Sequence, residues 1–330
     1  MKCLWKGPHI DGISQSMMND FYIDKYRFFL KYILGIEEDE PVNANLAWGD
    51  SFHKGLEHLI RGDSLQDSTE VMLEYLNKHY SLYALGTYPH SLANMLSLYR
   101  LDQFEQYRAD GHEIITEHII NQQVKHNGCI YIARGKIDVL IPGIKIIDHK
   151  CKGNVYPDET RDELATDLQL AYYSKLLEVT EYGYDLIRIP EADWKIPPKR
   201  GAEQHSQYMN RMFNGPINGN LDYPIGFKKH RWIYYLTYPN TQEAIDEIWD
   251  KTVYPTWEAL REFYEYVSDP LFDYMNPKCY NSTFYQTPVR HFNPILTDKF
   301  KGEFHDLLIG KKTLDDYILK ETCFPELKEE

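Results

Sequence analysis

Two apolar runs hold the residues best suited to chemistry. Asp138 sits inside the run 129–141 (CIYIARGKIDVLI), and Asp148 ends the run Ile146-Ile147-Asp148, ahead of His149 and Lys150. A carboxylate in such a place is costly unless it is paired or binds a cation. Pro142-Gly143 between the runs reads as a tight turn, so the strand ends come together in a hairpin. Asp138 and Asp148 can then converge on one hard cation, which prefers oxygen ligands. Lys150 stands two residues beyond Asp148 and points from the same strand face. Two carboxylates and a lysine suit hydrolysis of a phosphodiester. A metal polarises the phosphate and lowers the pKa of a bound water, and the lysine stabilises negative charge or orients that water. Taken singly, an Asp at a strand end also reads as a turn or cap residue, and a lone D-x-K carries almost no weight. Company gives the set its meaning. His53 lies upstream in Gly49-Asp50-Ser51-Phe52-His53, and Glu117 lies in the preceding strand. Gln169 and Tyr173 follow, one turn apart on a helix face.

The elements that must position these residues are legible from periodicity. Residues 14–34 carry apolar residues at helical intervals after a Ser-rich start. Residues 46–61 repeat the pattern with Phe52, Leu56, Leu59 and Ile60 on one face, and with His53 and Glu57 side by side next to it. Glu57 reads as a solvated helix residue, and His58 and His149 as surface histidines. Residues 65–110 read as two helices broken around Gly86-Thr87-Tyr88-Pro89. The period changes at Gly111: runs 113–124, 129–141 and 144–149 predict a three-stranded meander. A helix over 162–180, a long Gly/Pro/Asn-rich loop over 197–226, a strand over 231–239 and a helix over 241–267 follow. This order predicts one α/β domain: a helical region over 1–110, a core over 111–270 and an extension over 271–330 that packs on the core.

The ordered set G-x-x-x-H, E, G-x-x-D, D-x-K and Q-x-x-x-Y resembles the RecB-type branch of the PD-(D/E)XK nuclease superfamily, over roughly residues 14–180. That branch includes AddB-type nuclease domains, CRISPR-associated RecB-like exonucleases and many phage nucleases. The resemblance implies a restriction-endonuclease-like α/β core, a mixed central sheet flanked by helices, with an added N-terminal helical region. It implies that His53, Asp138, Asp148 and the backbone carbonyl of His149 ligate Mg²⁺ or Mn²⁺. Lys150 becomes the catalytic lysine, and Gln169 and Tyr173 position the lysine, DNA or both. Glu117 matches an acidic position frequent in the branch, and pairing with a neighbouring strand or loop explains it equally well. Many members hold an iron–sulfur cluster through one early and three late cysteines. Here the early position is Asp24, and the late region keeps only Cys279. Four thiolate-type ligands are needed, so no cluster is expected.

The other cysteines, Cys3, Cys129, Cys151 and Cys323, are widely spaced and form no CxxC, which suits reduced thiols and no zinc motif. The chain carries 36 Lys+Arg against 50 Asp+Glu, a net charge of −14. That excludes a basic coat protein for nucleic acid, but the charge is uneven. Residues 111–153 hold six Lys/Arg against four Asp/Glu, and residues 191–235 hold seven against four. The loop over 195–231 interleaves Lys199, Arg200, Arg211, Lys228 and Lys229 with aromatics, as expected of a DNA-contacting element able to stack bases. A merely solvated loop is the alternative. No apolar run is long enough to span a membrane, and the first residues lack the apolar core of a secretory signal.

The resulting expectation is a metal-dependent deoxyribonuclease, an exonuclease in recombination, repair or phage DNA metabolism, acting on single strands or duplex ends. A cytoplasmic location in a bacterial or phage-infected cell follows. No helicase-type phosphate loop is present, so a helicase or a single-strand annealing protein is the expected partner, and a homo-oligomer is compatible with the sequence. The alternatives are a DNA-binding or assembly subunit with a vestigial site, and a structure-specific endonuclease.

Overall fold

A computed structural model describes residues 3–38, 43–84, 86, 88–190, 222–225, 228–270, 272, 304–308 and 311–324. The described strands are β1 (Ile13–Ser14), β2 (Ile36–Glu38), β3 (Ile115–His126), β4 (Cys129–Ile141), β5 (Lys145–Lys152), β6 (Glu181–Arg188), β7 (Asp222–Ile225), β8 (Lys228–Arg231), β9 (Ile233–Pro239) and β10 (Tyr317–Leu319). The helices are α1 (Gln15–Ile23), α2 (Lys25–Phe28), α3 (Ala44–Arg61), α4 (Leu65–His79), α5 (Ser81–Ala84), α6 (Tyr88–Leu98), α7 (Asp102–Ala109), α8 (Pro157–Leu164), α9 (Leu168–Leu177), α10 (Gln242–Ile248), α11 (Tyr254–Ser268) and α12 (His305–Leu308). Single π turns continue α2 over Phe29–Leu34 and join α10 to α11 over Trp249–Val253.

A mixed sheet is the centre of the fold, in the order β1-β4-β5-β6-β9 with β3 also on β4. β4 and β5 pair antiparallel, β5 and β6 parallel, and β6 and β9 antiparallel. The meander forms as its turns dictate. Asn127 and Gly128 take φ of 48° and 77° between β3 and β4, and Gly143 takes 70° between β4 and β5, conformations that turn residues tolerate best. The chain divides into two compact units, each assembled from segments distant in sequence. One comprises 1–41, 119–136 and 243–330, and the other 42–118 and 137–242.

The second unit holds every residue of the expected metal and lysine set. Its core joins Trp48, Phe52, Leu56, Leu59 and Ile60 of α3 to Val139 and Ile141 of β4, Ile147 of β5 and Ile187 of β6. Asn43 caps α3 by accepting from Asn45 N–H, and Gly62 ends it at φ 109°. A Cβ on Gly49 would lie 3.5 Å from the Cys151 Cβ, an ordinary contact distance, so α3 packs close against β5 at this point.

Three expectations need correction here. Residues 65–109 form four helical pieces, not two. The helix expected over 162–180 is two, because Asp167 leaves the helical path to cap α9, its Oδ1 accepting from Leu170 N–H at 2.8 Å. The helix expected over 14–34 is interrupted at Asp24, whose carboxylate accepts from Tyr26 and Arg27 N–H and starts α2. Asp24 thus serves as a buried cap. Cys279 lies outside the described residues.

Candidate active site

Asp148 and Lys150 project from one face of β5, as strand alternation requires. Lys150 Nζ lies 2.6 Å from Asp148 Oδ2. Gln169, in the first turn of α9, braces both: its Nε2 donates to Asp148 Oδ1 at 2.8 Å and its Oε1 accepts from Lys150 Nζ at 2.9 Å. The brace depends on Asp167. That carboxylate caps α9 and also accepts from the Tyr184 hydroxyl at 2.6 Å, tying the helix to β6. The Tyr184 ring faces Lys150 Nζ, 5.2 Å from its centroid, a cation–π contact. Burial lowers the Lys150 pKa, but Asp148 and the charges of Asp138 and Asp167 together outweigh it, and the net direction is upward. The lysine therefore stays an ammonium. Burial raises Asp148, against the pull of that ammonium.

Asp138 reaches the site differently. β4 and β5 are in register from Val139↔Ile147 to Ile141↔Lys145; next along, the Asp138 side chain takes the place of a ladder bond. Its Oδ2 accepts from the backbone N–H of His149 at 2.6 Å, while Oδ1 lies 3.9 Å from His53 Nδ1. Burial works to lower His53, but Asp138, then Cys151 and Asp148, carry it up to about 10.

His149 overturns the surface expectation: its side chain is 3 % exposed. The parallel register sets it beside Asp185 of β6. Tyr99, at the end of α6, donates its hydroxyl proton to Asp185 Oδ2 at 2.5 Å, and its oxygen lies 3.2 Å from His149 Nε2. Gln103 donates to both Tyr99 and Asp185. Burial raises Asp185 to about 6, opposed by these hydrogen bonds. Burial, with the nearby His53 charge, lowers His149 to about 3, so its ring is neutral. The sequence reading missed Tyr99, Gln103 and Asp185. A signal existed for Asp185, an acid within the apolar run Tyr182-Gly183-Tyr184-Asp185-Leu186-Ile187, the same cue that singled out Asp138.

The remaining expected residues divide. Tyr173 is buried on α9 beside Tyr172 and contributes to raising the Tyr184 phenol. Glu117 stands on β3 with φ of 54°, an uncommon backbone conformation for a residue other than glycine. Glu57 is not solvated. It is 8 % exposed and pairs with Lys54 and Arg61 along α3. Lys199, Arg200 and Arg211 lie outside the described residues; Lys228 and Lys229 fall in β8, which pairs antiparallel with β7.

Among the described residues no three His, Cys, Asp or Glu side chains stand together as a ready-made cage for an ion. The donor chemistry nevertheless fits a hard divalent cation: two carboxylates that converge on one strand pair, with an imidazole beside them. Asp148 Oδ2 supports the fit. It is buried and accepts no well-directed hydrogen bond, although Lys150 Nζ is close. An ion there would share or displace the contact that this oxygen now makes with Lys150.

The solved structure of SSO0001 matches 70% of this chain and 96% of its own length, at 12% identity and a TM-score of 0.24, too low to carry an argument. The chain is 24% identical over 209 residues to one subunit of an ATP-dependent helicase/deoxyribonuclease of Streptococcus agalactiae, covering 58% of this chain and 18% of that protein. It is 27% identical over 161 residues to the protein of the same name in Streptococcus mutans, covering 44% and 14%. The chain thus spans less than a fifth of the length of these curated relatives. The model of the PD-(D/E)XK nuclease superfamily matches residues 12–269, including the braced lysine and both strand carboxylates. The chain belongs to the PD-(D/E)XK nuclease superfamily.

Proposed function

We propose that the protein is a metal-dependent deoxyribonuclease that hydrolyses phosphodiester bonds, working as an exonuclease on DNA ends. The observation that carries this reading is the closed triangle of Asp148, Lys150 and Gln169, with Asp138 held beside it. Nucleases of this superfamily generally use divalent metals such as Mg²⁺ or Mn²⁺. His53, Asp138, Asp148 and the carbonyl of His149 would hold the ion. When bound, it would polarise the phosphate and lower the pKa of a coordinated water.

The protein's own groups do the rest. Lys150 is held as an ammonium, so it supplies charge and not a base: it stabilises the negative charge that grows on the phosphate oxygens. Gln169 fixes where that charge sits, since one amide holds both members of the ion pair. Tyr184 and Asp167 hold the helix that carries Gln169. Tyr173 stands one turn further along the same helix, buried beside Tyr172. Glu117 is proposed as a further acidic residue of the catalytic set, and the basic residues of 195–231 (Lys199, Arg200, Arg211, Lys228, Lys229) are proposed to meet the DNA backbone.

The relatives' name pairs a helicase with a deoxyribonuclease, which supports a helicase as the partner that opens the duplex. Among the described residues no helix is long and apolar enough to cross a membrane, in keeping with a cytoplasmic role. The test is cleavage of end-labelled linear and circular DNA, single- and double-stranded, with Mg²⁺ and with Mn²⁺. Linear DNA should be degraded from its ends and circles spared; cut circles would make the enzyme an endonuclease. Retained cleavage in Asp148→Asn would overturn the site.

A further inference from the structure

Behind the site, three side chains that no motif contains converge on His149. Tyr99 and Gln103 come from the helical segment, and Asp185 from β6. Tyr99 commits its only proton to Asp185, at 2.5 Å. Its oxygen can then only accept from His149, 3.2 Å away. The proton of the His149 ring is thereby assigned to Nε2 by the hydrogen-bond network. Nδ1 is left as a bare lone pair, 3.7 Å from Asp138 Oδ2. Gln103 closes the set from the side, 3.1 Å from the Tyr99 oxygen and 3.3 Å from Asp185 Oδ2.

Tyr99, His149 and Asp185 are all almost fully buried. Burying three polar groups brings little net stability, because each hydrogen bond replaces one made with water, while an unpaired member would be costly. Apolar side chains would fill the same space without that risk. What the polar set provides is orientation. The His149 ring edge meets the Tyr99 ring at a centroid distance of 5.7 Å and the His53 ring at 5.8 Å. Holding the ring from Nε2 holds the backbone of residue 149. That backbone supplies the N–H that grips Asp138 at 2.6 Å and the carbonyl assigned above to the ion.

We propose that Tyr99, Asp185 and Gln103 are positioning residues that act through His149 to set the affinity of the nuclease site for its divalent ion. This rests on the deoxyribonuclease reading. Partners one step removed from a metal ligand commonly change affinity 10- to 100-fold when removed.

The experiment titrates Mn²⁺ into the intact protein, following free Mn²⁺ by electron paramagnetic resonance, without DNA. Tyr99→Phe removes one oxygen and keeps the ring. It should weaken Mn²⁺ about 10-fold, while kcat at saturating metal falls by less than about threefold. Asp185→Asn keeps an oxygen able to accept from both Tyr99 and Gln103, and should hold Mn²⁺ within about twofold of wild type. Asp185→Leu should match Tyr99→Phe. Gln103→Leu, at a half-buried helix position, should weaken Mn²⁺ by a smaller factor and guards against a Tyr99 variant that fails to fold. Wild-type affinity in folded Tyr99→Phe, or in Gln103→Leu should the former not fold, would overturn the inference alone. A wild-type protein that binds no Mn²⁺ and cuts no DNA would overturn the nuclease reading, and this inference with it.

Discussion

Replacing Gln169 by Leu tests the brace at the heart of the site. Leucine keeps roughly the volume and the helix propensity but removes both polar contacts, to Asp148 Oδ1 at 2.8 Å and from Lys150 Nζ at 2.9 Å. Hydrogen bonds to charged groups are each worth about 1.5–3 kcal/mol, but the two losses are unequal. The Lys150 side chain is 29 % exposed, against 7 % for Asp148, so water can replace the bond that the lysine loses. Asp148 Oδ1 has no such recourse. The loss at the buried oxygen dominates, at about 2–3 kcal/mol. Expressed in the transition state, that is about 30- to 150-fold in rate at 1.36 kcal/mol per tenfold.

The assay is single-turnover cleavage of end-labelled DNA at saturating Mg²⁺, with binding of uncleaved DNA measured in Ca²⁺. Gln169→Leu should lose most of this factor in the cleavage rate, with DNA affinity within about threefold of wild type. Gln169→Glu keeps the contact to Lys150 but sets a second carboxylate against Asp148, and should be as slow or slower. A cleavage rate in Gln169→Leu within threefold of wild type would refute the brace.

Other sites give independent checks. A Cβ at Gly183 would lie 1.8 Å from the backbone oxygen of Leu236, so Gly183→Ala must part β6 from β9. It should cost at least about 3 kcal/mol in urea unfolding, and an unchanged midpoint would show the strand spacing to be wrong. Asp167→Ala removes the α9 cap and the Tyr184 anchor, which should cost about 1–2 kcal/mol and slow cleavage; Asp167→Asn should recover most of the stability. His53 carries a folded pKa of about 10 against an ordinary 6.5, burial opposing and Asp138 driving the rise. Its stabilising contribution is therefore complete below pH 6.5 and lost as pH rises through about 10. The metal-free protein should lose melting temperature over that window, and His53→Gln should flatten the loss. Parallel melting curves for the two proteins would count against the His53–Asp138 pair.

Strand β4 shows how much the sequence states directly. Its apolar run predicts 129–141, and the strand is Cys129–Ile141, because alternation and bounding turn residues are local properties. Asn127-Gly128 and Pro142-Gly143 mark their turns for the same reason. The sequence also places Lys150 on the face of Asp148, and Gln169 and Tyr173 one turn apart on a helix, since both follow from the repeat of a single element. Helix ends were less legible. Asp167 and Asp24 each interrupt a run of helical periodicity, and in both the competing force is a side-chain oxygen capping the next helix.

Tertiary structure alone decided what each polar group touches. His149 reads as a surface residue from its neighbours in sequence, yet the β5–β6 register buries it against Asp185, and α6 brings Tyr99 across a separation of 50 residues. Asp138 shares its carboxylate with a backbone N–H because β4 and β5 cease to pair at that point, and no periodicity announces where a ladder stops. Glu57 and Asp185 are kept in the interior by partners on neighbouring turns, helices and strands. Periodicity says which face is buried; the partner that makes burying a charge tolerable is set by which elements approach, and that is a property of the folded chain.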